Sequence, residues 1–163
     1  MYKKFCFILA SYLGLGYAPK ASGTVGSLFT LPLAAVAAYY YGTTGILALS
    51  AAAFVIGWIA SIEVLKYTAH DPSLIVIDEV AGQSLSFVLL AEAMRGNWHC
   101  LTVLGVGFVL FRVFDILKPW PVGWADKKLC NAFGVMFDDI LAGSYAAAVL
   151  WLINWWCNLF IIG

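Results

Sequence analysis

Five stretches of this chain run for about twenty residues each with scarcely a charge, a spacing that suits helices crossing a bilayer. They cover roughly Thr24 to Tyr41, Ile46 to Leu65, Leu74 to Ala93, Trp98 to Leu117 and Phe137 to Ile162. About 20 apolar residues in a helix cross a hydrocarbon layer of about 30 Å. Helix is the expected form because lipid offers no partner to a backbone N–H or C=O. The segments also lack the alternation that strands of a membrane barrel need. Only 11% of the 163 residues are charged and 63% are hydrophobic. A soluble domain carries roughly 25% charged residues, so this supply cannot wet a water-facing surface. The chain is therefore expected to be all-α: one integral membrane helical bundle over residues 1–163, with about five transmembrane helices.

A sixth apolar stretch, Phe5 to Tyr17, follows Lys3 and Lys4. It has the length of a signal-peptide core, but no small-residue cleavage site precedes Pro19, and it is short for a span. A short interfacial or re-entrant N-terminal helix is expected, with a tilted span as the alternative. The connections are Tyr41–Gly45, Lys66–Ser73, Met94–Asn97 and a long Lys118–Met136, where Pro119 and Pro121 stop the fourth span. A net charge of zero leaves no basic stripe for nucleic acid. Cys6, Cys100, Cys130 and Cys157 form no CxxC pair, so neither a disulfide framework nor zinc is expected. The seven Trp suit an interface belt.

The few charges are distributed very unevenly. If the spans alternate in direction, one membrane face receives Lys20, Glu63, Lys66, Asp71, Asp78, Glu79, Arg112, Asp115, Lys118, Asp126, Lys127, Lys128, Asp138 and Asp139. The other receives Glu92 and Arg95. Six lysines and arginines against one mark the charged face as cytoplasmic.

Within that face, Asp78-Glu79 in "IVIDEVAGQ" lies between apolar residues, where an ionised carboxylate is costly without a cation or donor. The plain alternative is an acidic pair complementing a helix dipole. Asp138-Asp139 in "VMFDDILAG" has the same form, with an N-terminal cap as its alternative. Two adjacent acidic pairs converging on one place need a multivalent cation. Oxygen-only ligands select a hard ion, so Mg²⁺ is expected, held by Asp78, Glu79, Asp138 and Asp139. Arg112, Asp115 and Lys118 recur at i, i+3 and i+6, roughly on one helix face. They read either as an ion-pair stripe reaching the interface, or as Arg112 and Lys118 holding phosphate oxygens while Asp115 orients them or touches the metal. The loop "APKASGTVGSL" adds Lys20, Ser22, Gly23, Thr24, Gly26 and Ser27, where glycine lets backbone N–H groups approach an anion. It is not a P-loop, since GxxxxGK[ST] is absent. His70 and His99 fall on opposite faces and cannot share a site; Asp71 is expected in a loop.

With "SGTVGSL", "IVIDEVAGQ", "FRVFDILKPWP" and "FDDILAG" in that order, from Ser22 to Gly143, the chain resembles the phosphatidylglycerophosphatase A family. One departure is "ASGTVGSL", where many members carry Pro before the Gly-Thr pair. The resemblance implies a phosphoric monoester hydrolase. It would remove the terminal phosphate of phosphatidylglycerophosphate with Mg²⁺, giving phosphatidylglycerol, in the bacterial inner membrane with its site facing the cytoplasm. The motifs single out Thr24, Asp78, Glu79, Arg112, Asp115, Lys118, Asp138 and Asp139 as functional positions. Asp78, Glu79, Asp115, Asp138 and Asp139 are then expected as the catalytic set, with Lys20, Gly23, Thr24, Arg112 and Lys118 binding phosphate. The partners are the phospholipid and the bilayer, with no obligatory protein partner. Water is favoured over an Asp as nucleophile, because every candidate Asp sits in an acidic cluster that would hold it as a metal ligand. The rival classes fit less well. CDP-alcohol phosphotransferases need an Asp-Gly pair and histidine-dependent lipid phosphatases a PSGH element, and neither is present. A proton- or ion-coupled transporter places ionisable groups near the midplane, often between repeats; here they gather at one edge.

Overall fold

A computed structural model describes residues 2–68, 73–98 and 100–157. His70, Asp71 and His99 lie outside the described residues. The described chain is all-α, with seven helices and one short 3₁₀ turn, and no strand among the described residues. The helices are α1 (Tyr2–Ala10), α2 (Ser22–Val64), α3 (Ile77–Leu85), α4 (Ala91–Met94), α5 (Leu101–Leu117), α6 (Val122–Lys128) and α7 (Ala132–Cys157). Of these, α2 and α7 are long and apolar enough to cross a membrane.

Although hydrogen-bonded almost throughout, α2 is two helices that fold back on each other. Gly42 has φ 56° and ψ −137°, a backbone state that L side chains rarely adopt. Gly26 packs on Val76 and Gly57 on the adjacent Ile77. In a straight helix those two glycines, 57 − 26 = 31 residues apart, would be separated by about 46 Å. The chain therefore reverses at Gly42, where the sequence places its first connection. The far end of the bundle fastens this turn: Glu92 Oε1 accepts from the Thr43 amide at 2.8 Å, and the Gly96 amide donates to Tyr39 O at 2.9 Å. Glu92 and Arg95 thus lie at the end opposite the other charges, as the alternation predicts.

The α1 helix dips into the bundle and returns. Its first turn sits beside Tyr67, with Lys3 Nζ 3.5 Å from that ring centroid. Its far end reaches Phe29, whose carbonyl accepts from Tyr12 Oη at 3.5 Å. The chain then turns through Tyr12, Leu13 and Gly14 at positive φ and comes back to Ala21. The N-terminal helix is thus short, as the sequence suggests.

Three boundaries differ from the sequence reading. The stretch Leu74 to Ala93 is not one helix: α3 stops at Leu85, and tight i→i−3 turns carry the backbone on, such as Phe87 N to Ser84 O at 3.1 Å. Ser86 Oγ bonds Gln83 O at 2.6 Å, and such a back-bond competes with the helix ladder. The long connection after Lys118 contains α6. Finally, α7 begins five residues before Phe137, because Asn131 Oδ1 accepts from the Gly134 amide at 2.9 Å and caps it. Asp138 and Asp139 are therefore not cap residues.

At the centre stands α3, buried from Ile77 through Ser84 and flanked by both limbs of α2, by α5 and by α7. The helices meet at small residues, as in lipid. A Cβ on Gly82 would strike the Asp139 backbone, and one on Gly143 the Gly82 backbone. The pattern is inverted relative to a soluble domain. Asp78, Glu79, Asp138 and Asp139 are buried, while Leu101, Trp120 and Trp156 are 74%, 79% and 82% exposed. Such an apolar exterior associates with a membrane.

Candidate active site

The first turn of α3 carries Asp78 and Glu79 into the end of the bundle where the charges gather. Asp78 Oδ1 accepts from the Glu79 amide at 2.9 Å. Glu79 faces a guanidinium: Arg112 Nη1 lies 2.6 and 2.7 Å from its two carboxylate oxygens and 2.9 Å from Asp115 Oδ2. Ser27 Oγ donates to Glu79 Oε2 at 2.8 Å. Every one of these side chains is at least 85% buried, and a charge held that dry is tolerable only with such partners. Nη1 makes all of these contacts. The buried Arg112 Nε has no hydrogen-bond partner among the described residues, which leaves a charge-assisted donor for something else.

Lys118 ends α5 in the left-handed region, φ 44°. That conformation carries its ammonium back over the cavity, between Asp138 Oδ2 at 2.9 Å and Asp126. Burial works against its charge, but the hydrogen bonds and charges of Asp126 and Asp138 outweigh burial and hold the ammonium above the ordinary lysine range. Asp138 and Asp139 come from the second turn of α7, and Gly82 lets α7 approach α3 closely enough to bring the two acidic pairs together.

The start of α2 completes the wall. Ser22 Oγ donates to Ser73 O at 2.7 Å and fixes this helix end against the segment leading into α3. The amides of the first residues of an α-helix have no partner within it, and Ala21, Ser22 and Gly23 face the cavity. Gly23 must be glycine for packing reasons, because a Cβ there would collide with the Glu79 carboxylate.

These residues enclose about 300 Å³. Of the positions expected from sequence, Gly23, Asp78, Glu79, Arg112, Asp115, Lys118, Asp138 and Asp139 all line this one cavity. Lys20 is exposed and Thr24 half-buried, and neither lines it. They flank the turn at Ala21, φ 52°, where α2 begins: Lys20 lies before the helix and Thr24 in its first turn. Sequence reasoning missed the contacts of Ser27 and Asp126. Ser27 had a signal, since it stands four residues after Gly23 on the same helix face. Asp126 had none, because two prolines and an unforeseen helix separate it from Lys118.

The lining holds five carboxylates, from Asp78, Glu79, Asp115, Asp138 and Asp139, and two cations, Arg112 and Lys118. Fully ionised, that is an excess of 5 − 2 = 3 negative charges, which would repel a phosphate. Glu79, Asp115 and Asp138 have ion-pair partners, whereas no ion pair among the described residues engages Asp78 or Asp139. Among the described residues no three acidic, histidine or cysteine side chains are gathered tightly enough to hold a metal ion as they stand. The donor chemistry nevertheless fits a hard divalent cation: every ligand is oxygen, and the charge excess is the kind that such an ion offsets.

A family model described as phosphatidylglycerophosphatase A matches residues 8–154. Phosphatidylglycerophosphatase A of Haemophilus influenzae is 36% identical over 150 residues, which cover 91% of this chain and 88% of that protein. The Escherichia coli protein of the same description is 32% identical over 152 residues, 90% of this chain and 82% of its own length. No solved structure matches the chain.

Proposed function

Because the chain belongs to the phosphatidylglycerophosphatase A family, we propose that the charged cavity is where it removes the terminal phosphate of phosphatidylglycerophosphate, leaving phosphatidylglycerol. The protein is a lipid phosphatase. The observation that carries the site is the convergence of five carboxylates and two cations, from three elements, on one cavity of about 300 Å³ in an otherwise apolar bundle. Only a small, highly charged headgroup suits it, and the acyl chains stay in the bilayer beside the helices.

In this reading Arg112 binds the phosphoryl oxygens through its spare donors while Glu79 and Asp115 hold its plane. Lys118 approaches from the end of α5, and the amides of Ser22 and Gly23 supply the partial positive charge of a helix start. These donors are held in place before substrate arrives, so they stabilise charge on the transferred group without reorganising. Mg²⁺ is the expected cofactor, with Asp78 and Asp139 as its principal ligands and Glu79 and Asp138 beside them; when bound it neutralises phosphate charge and makes water more acidic. Water is the nucleophile: its oxygen bonds to phosphorus, the ester P–O bond breaks, and the released glycerol oxygen takes up a proton. Asp115 and Asp138 are tied to cations, which makes either a poor attacking group.

In this reading the bundle crosses the bilayer five times, by the two limbs of α2, the α3–α4 segment, α5 and α7, with α1 re-entrant; the length and apolarity of α2 and α7 support it. The excess of Lys and Arg at the site end supports a cytoplasmic placement of that end in the bacterial inner membrane. Phosphate release from phosphatidylglycerophosphate in mixed micelles tests the reading. Release is expected with Mg²⁺ and is expected to stop with EDTA. Release that persists in EDTA removes the metal from the scheme, and no release under any condition removes the substrate.

A further inference from the structure

The mechanism above uses Lys118 but not the residue that shares its ammonium. Lys118 Nζ is divided between Asp138, which lines the cavity, and Asp126, which does not. Asp126 belongs to α6, the short helix that the sequence pattern hides. A second feature ties α6 to the same lysine: Gly123 packs so closely on the Lys118 carbonyl that a Cβ would overlap it. The loop between them is pinned to α7, since Tyr145 Oη donates to Trp120 O at 3.1 Å. So α6 grips Lys118 at its backbone and at its ammonium, and it does so where the backbone is in the left-handed region, φ 44°. A non-glycine residue in that region is held there by its surroundings.

Without Asp126, Asp138 is the ion-pair partner left to Lys118 among the described residues. Lys118 would settle wholly on that carboxylate and neutralise it. With Asp126 present, the ammonium is suspended at the edge of the cavity, where an incoming phosphate can take it over. Resting on the phosphatase reading of the cavity, we propose that Asp126 is a positioning residue, which holds Lys118 so that its ammonium meets the substrate phosphate instead of closing on Asp138.

The test is a double-mutant cycle on the full-length enzyme with phosphatidylglycerophosphate as substrate. Asp126→Asn is expected to lower kcat about tenfold with KM within about twofold, since the interaction matters most as charge develops. Asp126→Glu should recover most of that loss. In a Lys118→Met background, Asp126→Asn should cost less than about twofold more, because a residue acting only through Lys118 has nothing left to act on. A tenfold loss in both backgrounds, or none in the first, overturns the proposal; the additive result would mean that Asp126 merely stabilises α6. A second measurement does not depend on turnover. Acetylation of Lys118 by acetic anhydride, read by peptide mass spectrometry, should rise severalfold in Asp126→Asn relative to wild type, because the anhydride reacts with the neutral amine and the Asp126 carboxylate that favours the ammonium is gone. Unchanged labelling overturns the proposal too. An inactive wild-type enzyme would instead remove the substrate assignment, while the labelling ratio would still decide whether Asp126 holds Lys118.

Discussion

One nitrogen carries an unusual share of the site. Arg112 Nη1 serves both oxygens of Glu79, one of Asp115 and the hydroxyl of Ser27, and it leaves Nε without a partner. A lysine side chain has one nitrogen in all, so it could engage these carboxylates but would offer no second donor, such as Nε, to a substrate. Arg112→Lys is therefore expected to lower kcat by about 100-fold or more, the scale of losing one preorganised donor. It would leave membrane insertion intact, which steady-state kinetics on the purified, monodisperse protein checks. Ser27→Ala is milder. It deletes the hydroxyl that steadies Glu79 Oε2, a hydrogen bond to a charged group, and should cost roughly tenfold in kcat/KM. If Ser27→Ala matched wild type, Arg112 alone would be enough to orient Glu79.

Packing between elements decides whether the two acidic pairs share a cavity at all. At Gly82, α3 and α7 pack so closely that a Cβ would meet the Asp139 backbone and the Phe111 ring. A methyl group there must push the helices apart, by a distance on the order of 1 Å, and a misplacement of that size in a reacting site costs about 100-fold. Gly82→Ala should show that loss in activity, with a core-overpacking cost of roughly 1–3 kcal/mol in stability. Gly105→Ala is the matched control. Nothing lies within 4 Å of a Cβ at that position in α5, so activity should stay within about twofold, only helix propensity having changed. The sequence marked both glycines equally, because a glycine in an apolar run looks the same whether it faces lipid or another helix. The same blindness explains the elements that were misread. Hydropathy found both limbs of α2 and their turn, because each limb is a long run that must be satisfied within itself. It could not see α3 stop at Leu85, since the Ser86 back-bond to Gln83 alters geometry without altering apolarity. It also could not see that Asn131 starts α7 early, because a cap is a local hydrogen bond. Eight of the ten expected site positions nonetheless reached the cavity, because buried carboxylates in an apolar stretch have few other places to go.

For the molecule as a whole, orientation is the property that function depends on, because the headgroup must reach the cavity from one leaflet. The site end carries most of the charge, and the opposite end is fastened by Glu92, Thr43 and Gly96. A native probe already stands near the site end: Cys130, exposed between α6 and α7, with its thiol 3.5 Å from Lys127 O. Cys6 and Cys100 are buried. With Cys157 replaced by serine, Cys130 is the one thiol expected to react with a membrane-impermeant maleimide. It should label in inverted inner-membrane vesicles and stay unlabelled in intact spheroplasts. Arg95→Cys, made together with Cys130→Ser in the same background, should show the reverse, because the Arg95 side chain is 59% exposed at the other end. The two results together require the bundle to cross the bilayer with the cavity on the cytoplasmic side. Labelling of both positions from the same side would mean that the bundle does not cross between them, and the five-passage topology would fall. Labelling of Cys130 only from outside would preserve the crossing but invert it. The positive-inside partition would then have failed, and the cavity would have to draw its substrate from the outer leaflet.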